Sequence, residues 1–402
     1  MSRGSGAATD LSRMARALEI SPTVAMAQRA AARKASGKDV LDFSVGEPDQ
    51  PTPAHVVAAA TRALEAGRTR YAPAAGISEL RAAVAARYRA DYGGSYATEE
   101  VAVTVGGKQA LYLTCRSLLG PGDEMVLPTP HWPTFSEAVR LAGAKPVLVK
   151  AREKDGFTVT ARLVAKGLSP KTKAVLVNSP SNPTGAVIAP EEMRKILALA
   201  KRRKFTVIYD DTYAALTYGP GGPLRLEGLR ELAPDRLVVI GTVSKTYCMT
   251  GFRIGWVLGP KALVDACAAF ASHSTQGSAT FSQVAAVEAL NGPQELVGRL
   301  RTEYQRRRDA MLPFLSSIPG VTCTRPQGAF YFFPNVARCL NREVPTTLAL
   351  ALRLLDETGV AVVPGEGFAA PGFLRISFAR SLPELEAGGR RIANFLSGLR
   401  KP

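Results

Sequence analysis

The sequence predicts an α/β protein with a mostly parallel central sheet in a large domain, joined to a smaller α+β domain. Three observations carry this. Between residues 101 and 258, short apolar runs alternate with helical stretches, the signature of βαβ units. From residue 261 onward that alternation gives way to long helices and short scattered strands. The chain has 402 residues, more than one hydrophobic core holds, so two domains are expected.

In chain order, Ser21-Pro22 marks a helix start, a capping hydroxyl followed by proline at the first helical position, and Ala-rich text with helical spacing runs over 23–38. Residues 40–44 read as a short strand leading into the turn Gly46-Glu47-Pro48-Asp49. A helix over 55–66 stops at Gly67. Arg70-Tyr71-Ala72-Pro73-Ala74-Ala75-Gly76 is an irregular loop carrying one aromatic, and Ser78 caps the helix that follows to about Tyr92. Strands are then predicted at 101–105, 125–127, 146–149, 173–178, 205–210, 237–241 and 254–258, with helices from Lys108 to Leu119, at 133–141 and at 190–203. The C-terminal part reads as helices at 261–271, 281–291 and 294–315, with short strands at 321–324, 329–333, 361–363 and 374–378. The expected division is an N-terminal arm with part of the small domain at 1–50, the large domain at 51–305 and the small C-terminal domain at 306–402.

Composition excludes several function classes. No apolar run approaches the ~20 residues needed to cross a bilayer, so no membrane partner is expected. Residues 1–13 are polar and rich in Gly, Ala and Ser; lacking the apolar centre of a signal peptide, they read as a floppy leader. Five scattered cysteines form no Cys-x-x-Cys pair, and only His55, His131 and His273 accompany them. No metal site is therefore expected, and a reducing cytoplasm is the simplest setting. The formal charge of +17 raises nucleic-acid binding. Its clusters, Lys201-Arg202-Arg203-Lys204, Arg306-Arg307-Arg308 and Arg390-Arg391, lie near helix ends or on helix faces among acids such as Glu191, Glu192, Glu303 and Asp309. Without a recognition module they read as a solvated Arg-rich surface that attracts anionic substrates, not a nucleic-acid interface.

In parallel sheets ligands sit outside the carboxyl ends of the strands, so the residues just after each strand matter. After the first lies Gly106-Gly107-Lys108-Gln109, a glycine pair at a helix start, where free N–H groups and the dipole favour an anion. After the next, Pro128-Thr129-Pro130-His131-Trp132-Pro133 holds an indole able to stack on a flat ring. Asn178-Ser179-Pro180-Ser181-Asn182-Pro183-Thr184-Gly185 is a stiff loop offering the Asn182 amide. Asp210 ends a buried strand, where a carboxylate needs a cationic partner, and Asp211 and Tyr213 follow. Thr242-Val243-Ser244-Lys245 then places a lysine between buried strands. Burial lowers its pKa and makes the neutral amine a nucleophile toward an aldehyde. Thr242, Ser244 and Arg253 add hydroxyls and a fixed cation suited to a phosphate ester. Aldehyde and phosphate are the two handles of pyridoxal phosphate.

With these motifs the chain resembles the class I/II aminotransferases of pyridoxal-phosphate fold type I, and most closely the bacterial aspartate aminotransferase subgroup that carries Gly-Gly-Lys-Gln-Ala. The likeness runs from Gly46-Glu47-Pro48-Asp49 through Tyr71-Ala72-Pro73, Asn182-Pro183-Thr184-Gly185, Ser244-Lys245 and Thr250-Gly251-Phe252-Arg253 to Leu374-Arg375-Ile376-Ser377. The resemblance implies pyridoxal 5'-phosphate held covalently by Lys245. Asp210 would pair with the ring nitrogen, Asn182 and Tyr213 with the ring oxygen, and Trp132 would stack on the ring. Gly107, Lys108 and Gln109 would meet the phosphate through their backbone, with Thr242, Ser244 and Arg253 nearby. Tyr71 would reach the phosphate of the neighbouring subunit, so a homodimer with shared sites is implied. Arg375 would clamp the substrate α-carboxylate, and Gly46 would line the substrate side. The implied reaction moves an amino group between an L-amino acid and a 2-oxo acid by ping-pong kinetics, with Lys245 as the acid–base group.

Two rivals accompany this reading. A sibling pyridoxal-phosphate reaction (lyase, decarboxylase or oxidase) shares the cofactor residues, because fold does not fix reaction. A transcription regulator with an aminotransferase-like domain needs a DNA-binding domain for which the leader is too short. Substrate choice departs from the family. Residues 270–283, where a partner Arg binds the side-chain carboxylate in classical members, hold no Arg or Lys. Glu19 stands where the subgroup often has Lys, and Gln50 where the family usually has an aromatic. Aspartate is therefore not expected to be strongly preferred, unless Lys108 or an Arg from the partner completes the pocket.

Overall fold

The structure, a computed structural model, describes residues 10–18 and 21–399. Most of the expected leader, residues 1–9, and Glu19 lie outside the described residues. Twelve strands are found among them: β1 (Leu41–Asp42), β2 (Val101–Val105), β3 (Glu124–Thr129), β4 (Lys145–Lys150), β5 (Thr172–Asn178), β6 (Thr206–Asp210), β7 (Leu237–Thr242), β8 (Ile254–Leu258), β9 (Tyr331–Phe332), β10 (Val360–Ala361), β11 (Val363–Pro364) and β12 (Leu374–Ser377).

Seven of these form the central sheet in the order β2-β8-β7-β6-β5-β3-β4. Neighbours from β7 through β4 pair in parallel. Strand β8 is antiparallel to both β2 and β7, so it alone runs against the other six. Every residue of β6, β7 and β8 is buried, as continuous apolar runs require when helices cover both faces. One face packs Val103, Val175, Val207 and Val239 into a core with Ile196 and Leu197. The other packs Ala174, Leu176, Ile208 and Ile240 with Leu111 and Leu113. Each such aliphatic side chain contributes ~1.5–3 kcal/mol on burial, which fixes strand order and register.

A third core joins Met26 and Phe43 to Phe330, Phe332, Leu374, Ile376 and the two C-terminal helices, Thr347–Thr358 and Leu382–Gly398. Here β11-β12-β9 is an antiparallel sheet, and β1 pairs in parallel with β10. The strand expected at 361–363 is broken in two because its halves have different partners: Val360 and Ala361 pair with β1, Val363 and Pro364 with β12. No strand forms at 321–324; only an isolated bridge joins Thr322 to Asn335.

Two further expectations change. Helix Ser78–Tyr92 begins with Ser78 inside it. Ile77 is the cap residue, its N–H donates to Gln283 Oε1 at 2.8 Å, and the Ser78 hydroxyl turns to Glu79 instead. Nor is Arg306-Arg307-Arg308 a solvated cluster. Arg307 and Arg308 are 4% and 5% exposed. Arg307 bridges Glu303 and Asp49 at 2.8 Å each, tying the Gly46-Glu47-Pro48-Asp49 turn to helix Glu295–Ser316.

Candidate active site

Because β2, β3, β5, β6 and β7 share one direction, their carboxyl ends open on one edge of the sheet. The reversed β8 presents its amino end at that same edge, which brings in Arg253, the residue just before it. These ends surround a cavity of about 300 Å³. It is lined by twelve of the residues singled out above: Gly46, Gly107, Lys108, Trp132, Asn182, Asp210, Tyr213, Thr242, Ser244, Lys245, Arg253 and Arg375.

Two expected residues are not in its wall. The Gln109 side chain accepts from Val105 N–H at 2.6 Å and donates to Thr275 Oγ1 at 2.9 Å. Tyr71 is 90% exposed on its own subunit. The cavity also contains residues the sequence reading passed over, Thr23, Phe135, Asn178, Thr212 and Tyr331. Tyr331 had a signal: a tyrosine in the buried run Ala329-Phe330-Tyr331-Phe332-Phe333 needs a partner for its hydroxyl.

At one end of the cavity, helix Gly106–Leu118 starts directly after β2. Gly106 has φ +74°, and a Cβ there would come within 2.5 Å of the Arg253 guanidinium. Gly255 lets β8 lie against that turn, since its own Cβ would meet the Gly107 nitrogen at 2.5 Å. Arg253 is itself left-handed at φ +57° and donates to Thr250 O at 2.8 Å. Thr242 Oγ1 donates to Ile254 O at 2.7 Å and lies 2.8 Å from Ser244 Oγ. A helix start without side chains, two hydroxyls and a guanidinium make an anion cradle.

In the middle, Lys245 Nζ donates to Gly46 O at 2.7 Å. Burial lowers its pKa to about 8; Glu47 opposes this, and the charges of Arg253, Arg375 and Lys108 add to it. Asp210 is buried and accepts from Thr212 N–H at 3.1 Å. No ion pair reaches it among the described residues, and burial raises its pKa. Its neighbour Asp211 points away, accepting from Tyr88 Oη at 2.6 Å, and Tyr88 in turn accepts from Trp256 Nε1 at 3.0 Å.

At the far side, Arg375 is 1% exposed and reaches no carboxylate among the described residues. Its guanidinium donates to Ser44 O at 2.6 Å and Asn182 Oδ1 at 3.2 Å, and its Nε has no partner. With Oδ1 occupied by Arg375, the donor groups of the Asn182 amide remain for a ligand. Tyr213 and Tyr331 hydroxyls are 2.7 Å apart. Lys108 Nζ lies 5.1 Å from the Trp132 ring centroid, with no ion pair among the described residues, and burial lowers its pKa.

The donor set fits pyridoxal phosphate on three counts. The Gly106–Arg253 cradle suits a phosphate, the unpaired carboxylate of Asp210 suits a pyridinium N–H, and the amine of Lys245 suits an aldehyde.

A family model described as aminotransferase class I and II matches residues 38–392. The aspartate aminotransferase of Geobacillus stearothermophilus is 39% identical over 387 residues, covering 96% of this chain and 98% of that protein. The aspartate/prephenate aminotransferase of Thermus thermophilus is 40% identical, covering 96% and 98%. Among solved structures, the Thermus thermophilus aspartate aminotransferase with maleate superposes with a TM-score of 0.91 at 40% identity, over 96% of this chain and 100% of that one.

Proposed function

The chain belongs to the class I and II aminotransferase family, and from that premise we propose that its cavity transaminates acidic L-amino acids, aspartate among them. The enzyme is a pyridoxal-phosphate-dependent aminotransferase. It moves an amino group between an L-amino acid and a 2-oxo acid in two half-reactions. The observation that carries the donor class is the pair of cations left in the cavity once Arg253 is given to the phosphate and Lys245 to the aldehyde: buried Arg375 with its free Nε, and Lys108 beside Trp132. Two cations call for two carboxylates. The names of the relatives support this, and Lys108 supplies the second cation that residues 270–283 lack.

When bound, the cofactor supplies an aldehyde that takes up the amino group and a ring that accepts the electron pair left at the α-carbon. In this reading the protein does the rest. Arg375 holds the α-carboxylate through a fork that its fixed partners Ser44 and Asn182 keep in place. Lys108 meets the side-chain carboxylate. Lys245, neutral above a pKa of about 8, takes the proton from the α-carbon and returns it on the other side of the reacting bond. Asp210 would keep the ring nitrogen protonated, Asn182 and Tyr213 would hold the ring oxygen, Trp132 would stack on the ring, and Gly106, Gly107, Thr242, Ser244 and Arg253 would hold the phosphate. Gly46 fixes the resting position of Lys245 through its carbonyl.

Tyr71, exposed at the end of its loop, is proposed to reach the phosphate held by a neighbouring subunit, making a homodimer the working unit. A cytoplasmic setting belongs to the same reading, supported by the buried free thiols Cys115, Cys248 and Cys267. The test of the donor class is kcat/KM for aspartate, alanine, phenylalanine and arginine with 2-oxoglutarate. Lys108→Ala should lower aspartate alone by about 10–100-fold, the ~1.5–3 kcal/mol of a hydrogen bond to a charged group. An unchanged ratio of aspartate to phenylalanine would remove Lys108 from the site.

A further inference from the structure

Tyr331 touches three parts of the proposed machinery at once. It is 1% exposed and lies on β9, directly across from Ser377 of β12. Arg375, two residues back along β12, is on the same face of that pair. The Arg375 guanidinium sits over the Tyr331 ring, 4.5 Å from its centroid. The Tyr331 hydroxyl is 2.7 Å from that of Tyr213, which lies 118 residues earlier in the segment just after β6. The same hydroxyl lies against Gly46, where any Cβ would collide with it, and the Gly46 carbonyl holds Lys245.

From this geometry we propose that Tyr331 is a positioning residue that couples carboxylate occupancy at Arg375 to the hydrogen bond Tyr213 offers across the cavity. The physical route is short. A guanidinium over an aromatic face draws on the ring's electrons, so it strengthens the phenol as a donor. In this relay the Tyr331 hydroxyl donates to the Tyr213 oxygen, one of the two directions the contact allows, which leaves the Tyr213 proton to point across the cavity, and linked hydrogen bonds polarise one another. The Arg375 charge also lowers the proton affinity of both phenols, against the larger upward push of burial. A carboxylate on Arg375 neutralises that charge. Tyr213 then becomes a weaker donor to whatever it faces. The inference rests on the proposed roles of Tyr213 at the cofactor ring oxygen and Arg375 at the α-carboxylate.

The experiment is a titration of the holoenzyme with maleate, a carboxylate without an amino group, at fixed pH, read by the visible absorbance of the bound cofactor. Tyr331→Phe keeps the ring and its Arg375 contact and removes only the bridge. It should cut the maleate-induced absorbance change to about half or less while moving the maleate Kd less than about threefold. In a Tyr213→Phe background, adding Tyr331→Phe should change nothing further, because the bridge is already cut. A full-sized absorbance change in Tyr331→Phe overturns the proposal, as does an equal effect of that substitution with and without Tyr213. Tyr213→Phe probes the same bond from its other end: it too should shrink the change, and a change of wild-type size there is equally fatal. Failure of the underlying roles reads differently. The resting spectrum would then be untouched by Tyr213→Phe, or the maleate Kd untouched by Arg375→Lys.

Discussion

At the scale of single residues, burial decides what Lys245 can do. A lysine lowered to about 8 is mostly charged at pH 7 and mostly neutral at pH 9. Only the neutral form attacks an aldehyde. Reattachment of pyridoxal phosphate to the cofactor-stripped protein should therefore speed up as pH rises toward about 8 and level off above it. A rate still climbing steeply at pH 10 would mean an ordinary lysine. Lys245→Ala should retain no cofactor after borohydride reduction. Gly106 is the second such residue. Its left-handed φ of +74° and the Arg253 side chain against it leave no place for a Cβ. Gly106→Ala should weaken cofactor retention by about tenfold, the ~1–2 kcal/mol of a left-handed L-residue, in an equilibrium dialysis measurement. Unchanged affinity would show that the phosphate binds elsewhere.

At the scale of elements, the end of β6 divides two adjacent carboxylates between two tasks. Alternation along an extended chain sends Asp210 into the cavity and Asp211 into the Tyr88–Trp256 cluster beneath it. Gly241 on the neighbouring β7 makes room there, since any Cβ would run into the Tyr88 hydroxyl and the Trp256 indole. Asp210→Ala should lower kcat by about a thousandfold with little change in Tm, because it strips a buried charge of its partner, worth ~3–5 kcal/mol. Asp211→Ala should lower Tm through the unpaired Tyr88 hydroxyl, a cost of ~1–3 kcal/mol, and leave the folded holoenzyme active. Equal losses of turnover in the two variants would contradict this division.

At the scale of the molecule, the cavity lies where the large sheet meets the C-terminal core. Arg375 and Tyr331 come from the small antiparallel sheet, Asp210 ends β6 and Lys245 follows β7, while Tyr213, beyond the end of β6, packs into the C-terminal core. We propose that, among the described residues, those up to 50 form an N-terminal arm and part of the small domain, 51–305 the large domain and those from 306 on the rest of the small domain. Helix Glu295–Ser316 runs through that boundary, and its Arg307 ties Asp49 of the N-terminal segment to the C-terminal part of the same domain. The homodimer is tested at Tyr71. Tyr71→Phe should weaken cofactor binding. Hybrid dimers mixed with Lys245→Ala should carry one site damaged twice and one intact, and so recover activity that neither parent has in full. A monomer in sedimentation at working concentration would exclude a shared site.

Much of this was legible in the sequence because the chemistry sits close to strand ends. Asp210 ends β6, Lys245 follows β7 by three residues, and Gly106 follows β2 directly. Apolar runs place the strands, strand direction follows from the βαβ order, and so the site residues converge by a local rule. The tertiary structure decided what depends on distance along the chain. The reversal of β8 brings Arg253 to the same edge. Packing of β9 against β12 sets Tyr331 under Arg375, and the approach of that sheet to the segment after β6 joins its hydroxyl to Tyr213. Burial of Arg307 turned a basic run into an internal clamp, and Lys108, without an ion pair among the described residues, is open to a ligand. Periodicity and turn chemistry act over a few residues and are written in sequence, whereas hydrogen bonds and ion pairs act across a few ångströms of space, and only the folded chain fixes which side chains share that space.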